Sequence, residues 1–248
     1  MLEIQFLKSL SVKNQTNEIN IYREYCQHLF LSSFYRKKGS EEFLFKGGTA
    51  LRIVFQSPRY SEDLDFSALS IDKIEDLLIE TIKDLGNEGL MIEKIEESKE
   101  TGGGYLSILN FSAPSLGFQS RIKLNIKIKE GQLLSSSKLV SNEFVAPYTI
   151  VYLKDEVLIG EKIQAFLTRE NAKERDFFDL YFILGDSYLK NLAQQNHPSK
   201  QAILERLDSL SDNELKIGLK DLLPVGFHHL FAGDNFKVQI RRLVEMYL

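Results

Sequence analysis

Residues 43–66 read FLFKGGTALRIVFQSPRYSEDLDF. The three apolar residues at the start of this stretch predict a short strand, and the Lys-Gly-Gly-Thr sequence at 46–49 predicts a turn. The apolar segment 50–55 then predicts a short helix, after which a polar turn leads to Asp63 and Asp65. We expect the fold to be built around this strand–turn–helix–strand unit.

Composition limits the classes of protein to which the chain can belong. Its 248 residues suffice for one large domain or two modest ones, and 43% hydrophobic and 27% charged residues are ordinary for a globular protein. The formal net charge of -4 argues against a broadly basic surface for nucleic acid, although it permits a local basic patch.

The expected compartment follows from the cysteine count and the apolar runs. A single cysteine, Cys26, cannot form an internal disulfide and favours a reducing compartment, and we interpret it as a buried thiol on a helix. The N-terminal residues lack a signal-like apolar run, and no apolar stretch approaches the roughly 18 residues of a membrane span. We therefore expect a soluble, cytoplasmic protein with no membrane partner.

Hydrophobic periodicity predicts a first domain that mixes helices and strands. Apolar residues recur at helical spacing over 18–37 and 72–85, whereas 91–99, 105–111 and 121–130 have the features of strands. The first ten residues predict no regular element. Three glycines at 102–104 are interpreted as a hairpin turn rather than a phosphate loop, because a strand-like segment follows them.

The second domain is predicted to be helical. The Ser-rich stretch 133–147 favours a domain boundary, which divides the chain into domains 1–140 and 141–248. Helices are predicted beyond it at 155–169, 175–188, 198–210, 211–222 and 235–248. The expected fold class is therefore α/β (α+β), with a mixed-sheet core and a C-terminal helical domain.

The two aspartates suggest a metal site. On a strand, Asp63 and Asp65 would project to one face while Leu64 and Phe66 face a core. Two convergent carboxylates suit Mg²⁺ or Mn²⁺, which take further ligands from water and substrate phosphates. Asp-x-Asp triplets are also common in proteins without such a role.

The turn before the helix suggests an anion site. Gly47 and Gly48 permit close approach of the backbone, Thr49 adds a hydroxyl and Lys46 adds a cation. Alone, these residues would equally suit a tight strand-to-helix turn. A phosphate-binding turn followed by two carboxylates is nevertheless the arrangement that metal-assisted nucleotidyl transfer requires.

KGGTALRIVF at 46–55, followed by RYSEDLDF at 59–66, resembles a known bacterial family. This is the AbiEii/AbiGii nucleotidyltransferase group of abortive-infection and type IV toxin proteins, within the DNA polymerase β-like superfamily. The segment EKIQAFLTRENAKERDFFDLYFI at 161–183 resembles the second signature of the same family.

The resemblance implies a role for each matching residue. It assigns Lys46, Gly47, Gly48 and Thr49 to nucleotide phosphates and Asp63 and Asp65 to the metal. Lys162 would contact the triphosphate, Asp176 would be a further catalytic acid, and Arg175 or Asp179 would shape the site. A surface pair between Arg175 and Asp179 is the structural alternative, since the two lie four residues apart on a helix.

One position departs from the superfamily pattern. A later strand often supplies a third carboxylate, and here 121–130 offers Asn125, whose amide brings no negative charge. Either Asp176 substitutes for it or catalysis is weak. Asn125 therefore motivates one alternative to an active nucleotidyltransferase, which is a nucleotide- or partner-binding module. A small-molecule phosphotransferase is a further alternative, because related folds carry out that reaction.

The resemblance also implies partners. An NTP would be the substrate, RNA such as tRNA or a protein would be the acceptor, and a cognate antitoxin would be a binding partner. Segment 121–130 alternates apolar residues with a basic, polar face, which could meet an RNA backbone or be only a solvated surface. That face carries Arg121, Lys123, Asn125, Lys127 and Lys129.

Overall fold

The computed structural model describes residues 3–99, 104–113, 117–233 and 235–248. The chain forms two compact units, each with its own core. The sheet unit comprises Met1–Gln56 and Tyr60–Leu153, and the helical unit comprises Ser57–Arg59 and Lys154–Leu248.

A mixed sheet dominates the sheet unit. Its strands in the described residues are β1 (Leu44–Lys46), β2 (Leu64–Ala68), β3 (Met91–Lys99), β4 (Tyr105–Ala113), β5 (Phe118–Ile128), β6 (Ser135–Val140) and β7 (Tyr148–Leu153). They lie in the order β3-β4-β5-β2-β1-β7-β6. β2 runs antiparallel to β1 and parallel to β5, and β1 runs parallel to β7. The two strands that come from residues 43–66, β1 and β2, therefore lie in the interior of the sheet.

Helices in the sheet unit are α1 (Ile4–Lys13), α2 (Glu18–Phe34), α3 (Gly47–Phe55) and α4 (Ile74–Asn87). The start of α2 is fixed because the Asn17 side chain accepts a hydrogen bond from the Asn20 amide at 2.8 Å. At the other end, the Phe34 ring packs on Phe43 and Phe66, with centroid distances of 6.0 and 5.7 Å. These aromatic contacts join α2 to the strand that carries Asp65.

The helical unit contains α5 (Asp155–Thr168), α6 (Glu174–Gly185), α7 (Leu189–Gln195), α8 (Lys200–Arg206), α9 (Asp212–Lys220) and α10 (Phe236–Tyr247). Ser211 and Glu214 form a capping box at the start of α9. Phe178 and Tyr181 on α6 pack against Phe236 on α10, with centroid distances of 6.4 and 5.4 Å. Among the described residues, no helix is both long enough and apolar enough to cross a bilayer.

The predicted fold class is confirmed, while several local predictions were wrong. Most of the first ten residues belong to α1, which begins at Ile4 and buries Leu7 and Leu10 on one side. The Ser-rich stretch contains β6, an edge strand whose polar residues need little burial. The hairpin interpretation of the glycines at 102–104 concerns residues of which 102 and 103 lie outside the described part of the chain.

The boundary between the compact units differs from the predicted one. It falls between Leu153 and Lys154 rather than at 140/141, because β7 pairs with β1 in the sheet. Ser57–Arg59, in the loop between α3 and β2, also belong to the helical unit rather than to the sheet unit.

Candidate active site

A row of three polar residues crosses the middle of the sheet. Lys46 on β1 pairs in register with Asp65 on β2, which pairs in register with Asn125 on β5. Directly paired residues project to the same face of a sheet. The side chains of Lys46, Asp65 and Asn125 therefore share one face of the sheet.

Gly47 packs directly against Asp65. Its φ of +83° lies in the left-handed region, and a Cβ built there would lie 2.9 Å from the Asp65 Cβ and closer still to Oδ2. Only glycine fits this position without displacing the carboxylate. The contact places the start of α3 beside Asp65.

The start of α3 has the features of an anion site. In the described chain, no side chain caps this nine-residue helix. The first-turn amides of Gly47, Gly48 and Thr49 therefore belong to a helix end that favours negative charge. Gly48 and Thr49 are buried and Gly47 is half-buried.

Thr49 connects this helix to the first aspartate. Its hydroxyl donates a hydrogen bond to the backbone carbonyl of Asp63, and its side chain is buried. The hydroxyl that was predicted to bind phosphate thus also has a structural role, because its hydrogen bond fixes the backbone at Asp63. Asp63 itself precedes β2 by one residue, so the expectation that both aspartates lie in a strand was wrong for Asp63.

Asn125 orients the carboxylate of Asp65. Its Nδ2 donates to Asp65 Oδ1 at 3.0 Å. Its Oδ1 is buried and accepts no hydrogen bond within the described structure. A buried acceptor without a donor is unusual, and a hydrated cation or a substrate hydroxyl at this place could satisfy it.

These residues fit a divalent cation that takes some of its ligands from the protein and the others from a substrate. Within the described ranges, no group of three or more His, Cys, Asp or Glu side chains is arranged to hold a metal. Asp65 supplies a carboxylate beside the Asn125 amide, whose oxygen is a neutral acceptor, and Asp63 supplies a second carboxylate two residues earlier in the chain. Mg²⁺ commonly uses one or two carboxylates and completes its shell with water and phosphate oxygens.

Exposed lysines flank Asn125 on the same strand. Lys123 and Lys127 lie two residues before and after it, so they share its face at a spacing of roughly 7 Å. Both side chains are exposed, as is Arg121 farther along the strand. The predicted alternation of β5 is confirmed, because Ile122, Leu124 and Ile126 are fully buried on the opposite face.

In the helical unit, Lys162 contacts the second aspartate of its signature segment. Lys162 Nζ, on α5, donates to Asp179 Oδ2 on α6 at 2.7 Å. Arg59 donates to the same carboxylate from the other side, with Nε 2.8 Å from Oδ1 and Nη2 3.0 Å from Oδ2. Burial raises the pKa of Asp179, but the positive charges of Arg59 and Lys162 outweigh this effect. The pKa of the carboxyl is therefore lowered to about 2.

Asp176 has a different partner. Arg169 Nη1 lies 3.0 and 2.7 Å from its two carboxylate oxygens. Burial raises the pKa of Asp176, and the Arg169 and Lys162 charges offset part of that rise. Arg59 and Arg169 lie within the two segments that carry the family resemblance, but the resemblance assigned neither of them a role. The only sequence signal for Arg169 is that it is a second cation, seven residues after Lys162 on the predicted helix 155–169.

Two further residues, Cys26 and His28, are buried in the core of the sheet unit. Cys26 is fully buried, as predicted, and burial raises the pKa of its thiol. His28 is also buried, with Nδ1 2.7 Å from the Tyr148 hydroxyl. Neither residue carries the features of a catalytic group.

A mixed sheet with a Gly-Gly-Thr turn against one aspartate of an Asp-x-Asp pair, followed later in the sequence by a Lys-bearing signature segment, is the arrangement expected of a nucleotidyltransferase. Residues 29–225 match the family model described as "Nucleotidyl transferase AbiEii toxin, Type IV TA system". The chain belongs to this family, and the resemblance drawn from its sequence is confirmed.

Solved structures share the fold. MenT4, a nucleotidyltransferase toxin from Mycobacterium tuberculosis H37Rv, superposes with a TM-score of 0.65 at 16% identity, over 98% of this chain and 89% of that one. JHP933 from Helicobacter pylori gives a TM-score of 0.63 at 20% identity, over 94% and 93%. A search among curated proteins returned no match.

Proposed function

We propose that the protein transfers an NMP group from an NTP to an acceptor hydroxyl. The packing of Gly47 against Asp65 carries this proposal, because it sets a helix N-terminus beside a carboxylate. The acceptor oxygen forms a bond to the α-phosphorus while the bond from that phosphorus to the bridging oxygen breaks. Pyrophosphate leaves with the electron pair, and the acceptor proton passes to a carboxylate or to water.

Each residue has a proposed part in this reaction. The amides of Gly47, Gly48 and Thr49 bind phosphate oxygens, and Lys46 adds positive charge. Lys162 contacts the triphosphate. Asp176, whose pKa burial raises, is the further acid. Asp63 and Asp65 would hold Mg²⁺ or Mn²⁺, which supplies charge neutralisation for the phosphates when bound.

RNA is the acceptor that the surface favours. Arg121, Lys123 and Lys127 are exposed on the strand that carries Asn125, and the two lysines share its face. Lysines spaced along a strand can contact successive phosphates of a nucleic-acid backbone. Membership of a type IV toxin family also supports a cognate antitoxin as a protein partner. The cytoplasmic location stays a prediction.

A transfer assay tests the reaction. The protein is incubated with total RNA, Mg²⁺ and each NTP labelled at the α-phosphate, and wild-type protein is expected to label RNA. Asp63→Ala and Asp65→Ala should abolish labelling while thermal unfolding shows an intact fold. Asp72→Ala, which removes an exposed carboxylate of the same unit, is the matched control and should label normally.

The alternative of a binding module is motivated by Asn125, which replaces a carboxylate with a neutral amide. Calorimetric titration with NTP and Mg²⁺ separates the two functions, since binding without label transfer would support the module. Labelling from the γ-phosphate instead of the α-phosphate would indicate a phosphotransferase. Labelled protein in place of labelled RNA would overturn the choice of acceptor.

A further inference from the structure

Asp179 of the helical unit is shared by two cations. Arg59 binds it through two hydrogen bonds of 2.8 and 3.0 Å, and Lys162 binds one of the same oxygens at 2.7 Å. A guanidinium that contacts both oxygens of a carboxylate is held in a fixed plane, because both side chains are planar. Arg59 therefore fixes the orientation of the carboxylate that Lys162 contacts.

The three side chains differ in exposure. Those of Arg59 and Asp179 are 1% and 2% exposed, whereas that of Lys162 is 13% exposed. Counted with Asp176 and its partner Arg169, three cations face two carboxylates, so these five side chains carry a surplus positive charge. The side chain of Lys162 is the most exposed of the three that meet at Asp179, so an anion can approach the surplus charge most easily there.

The Arg59 charge offsets part of the attraction between Asp179 and the Lys162 ammonium, which remain in contact at 2.7 Å. With Arg59 absent, Asp179 would pair with Lys162 alone, and the pair would carry no net charge. A neutral pair binds a phosphate group more weakly than a cation does.

We propose that Arg59 is a positioning residue, which neutralises and orients Asp179 so that the Lys162 ammonium keeps its charge for the substrate triphosphate. This inference rests on the proposed function. It adds a role for Arg59, which acts through Asp179 and not by contact with the nucleotide.

The test uses the full chain and steady-state transfer kinetics with varied NTP. Arg59→Met is expected to raise the KM for NTP about tenfold with kcat changed less than twofold. Arg59→Lys keeps the charge without the two-pronged contact and should raise KM by about threefold. The double variant Arg59→Met/Asp179→Asn removes both opposing charges and should bring KM back toward the wild-type value.

Arg241→Met is the matched control, because Arg241 forms an exposed ion pair with Asp208 in the same unit. It makes the same change of charge and should leave KM unaltered. Thermal unfolding of every variant separates loss of fold from loss of binding. If Arg59→Met does not fold, the Arg59→Lys variant decides by itself.

The outcomes distinguish this inference from the proposed function. Absence of nucleotide transfer by the wild-type protein would overturn the proposed function. Normal wild-type transfer together with an unchanged KM in a folded Arg59→Lys or Arg59→Met variant would overturn the role of Arg59. A double variant no better than Arg59→Met would show that Arg59 does not act through the charge of Asp179.

Discussion

Gly47 lies so close to Asp65 that a methyl group on Gly47 would be 2.9 Å from the Asp65 Cβ and closer still to its carboxylate. The same glycine begins α3 and has a φ of +83°. Two demands therefore meet at one residue: a left-handed backbone and the absence of a side chain. Because of this contact, the position of the carboxylate depends on the turn.

Gly47→Ala is expected to reduce nucleotide transfer by at least about a hundredfold. The added methyl group displaces Asp65, and the positive φ costs about 1–2 kcal/mol of unfolding free energy. Initial rates and urea unfolding measure the two effects. Gly86→Ala is the control, because Gly86 lies in α4 with open space around it. This substitution should raise the free energy of unfolding by up to about 1 kcal/mol. Equal activity of the two variants would contradict the role of the Gly47–Asp65 contact.

Thr49→Val should reduce transfer about tenfold and lower the free energy of unfolding by about 1 kcal/mol. Valine has nearly the same shape, but it cannot donate a hydrogen bond to the Asp63 carbonyl. Thr49→Ser keeps the hydroxyl and should recover most of the rate. The comparison is made from initial rates and denaturant unfolding. A Thr49→Val variant as active as Thr49→Ser would show that the hydroxyl does not position Asp63.

Asn125→Asp should make stability depend on divalent cations. It replaces an amide donor 3.0 Å from Asp65 with a second carboxylate, so without metal the like charges should cost about 1–2 kcal/mol. Mg²⁺ should reverse this loss, because added carboxylates strengthen its binding. Unfolding temperature is measured against Mg²⁺ concentration, with and without a chelator.

Asn191→Asp is the control for that substitution. Asn191 lies on α7 in the helical unit, where its side chain is exposed. Its replacement should give no extra dependence on Mg²⁺. If both variants respond to Mg²⁺ equally, the cation does not bind beside Asp65.

The residues of 43–66 could be predicted because their signal is local. A glycine pair between a strand and a helix, and aspartates at a spacing of two, indicate their geometry within a few residues of chain. The exception is Asp63, whose backbone accepts a hydrogen bond from Thr49 and lies outside the strand. A side-chain contact of this kind leaves no mark on hydrophobic periodicity.

The partners of Asp179 could not be predicted for a different reason. Arg59 and Asp179 are 120 residues apart in the chain, so no helical or strand spacing relates them. The nearer candidate was Arg175, four residues before Asp179 on the same helix. Buried ion pairs form where packing brings elements together, and hydrophobic patterns identify the buried faces without identifying the charged residues that pair between them.

Because His28 is buried, we expect the free energy of unfolding to fall as the solution is acidified from pH 6.5 toward 4. Burial lowers its pKa from 6.5 to about 4, so in this window the unfolded chain binds a proton that the folded protein does not. Each bound proton of difference lowers the free energy of unfolding by about 1.4 kcal/mol per pH unit. Urea unfolding from pH 7 to 4 should therefore show a smaller slope for His28→Gln than for the wild type. His229→Gln, at an exposed histidine of the helical unit, should keep the wild-type slope, and a His28→Gln slope equal to it would contradict the prediction.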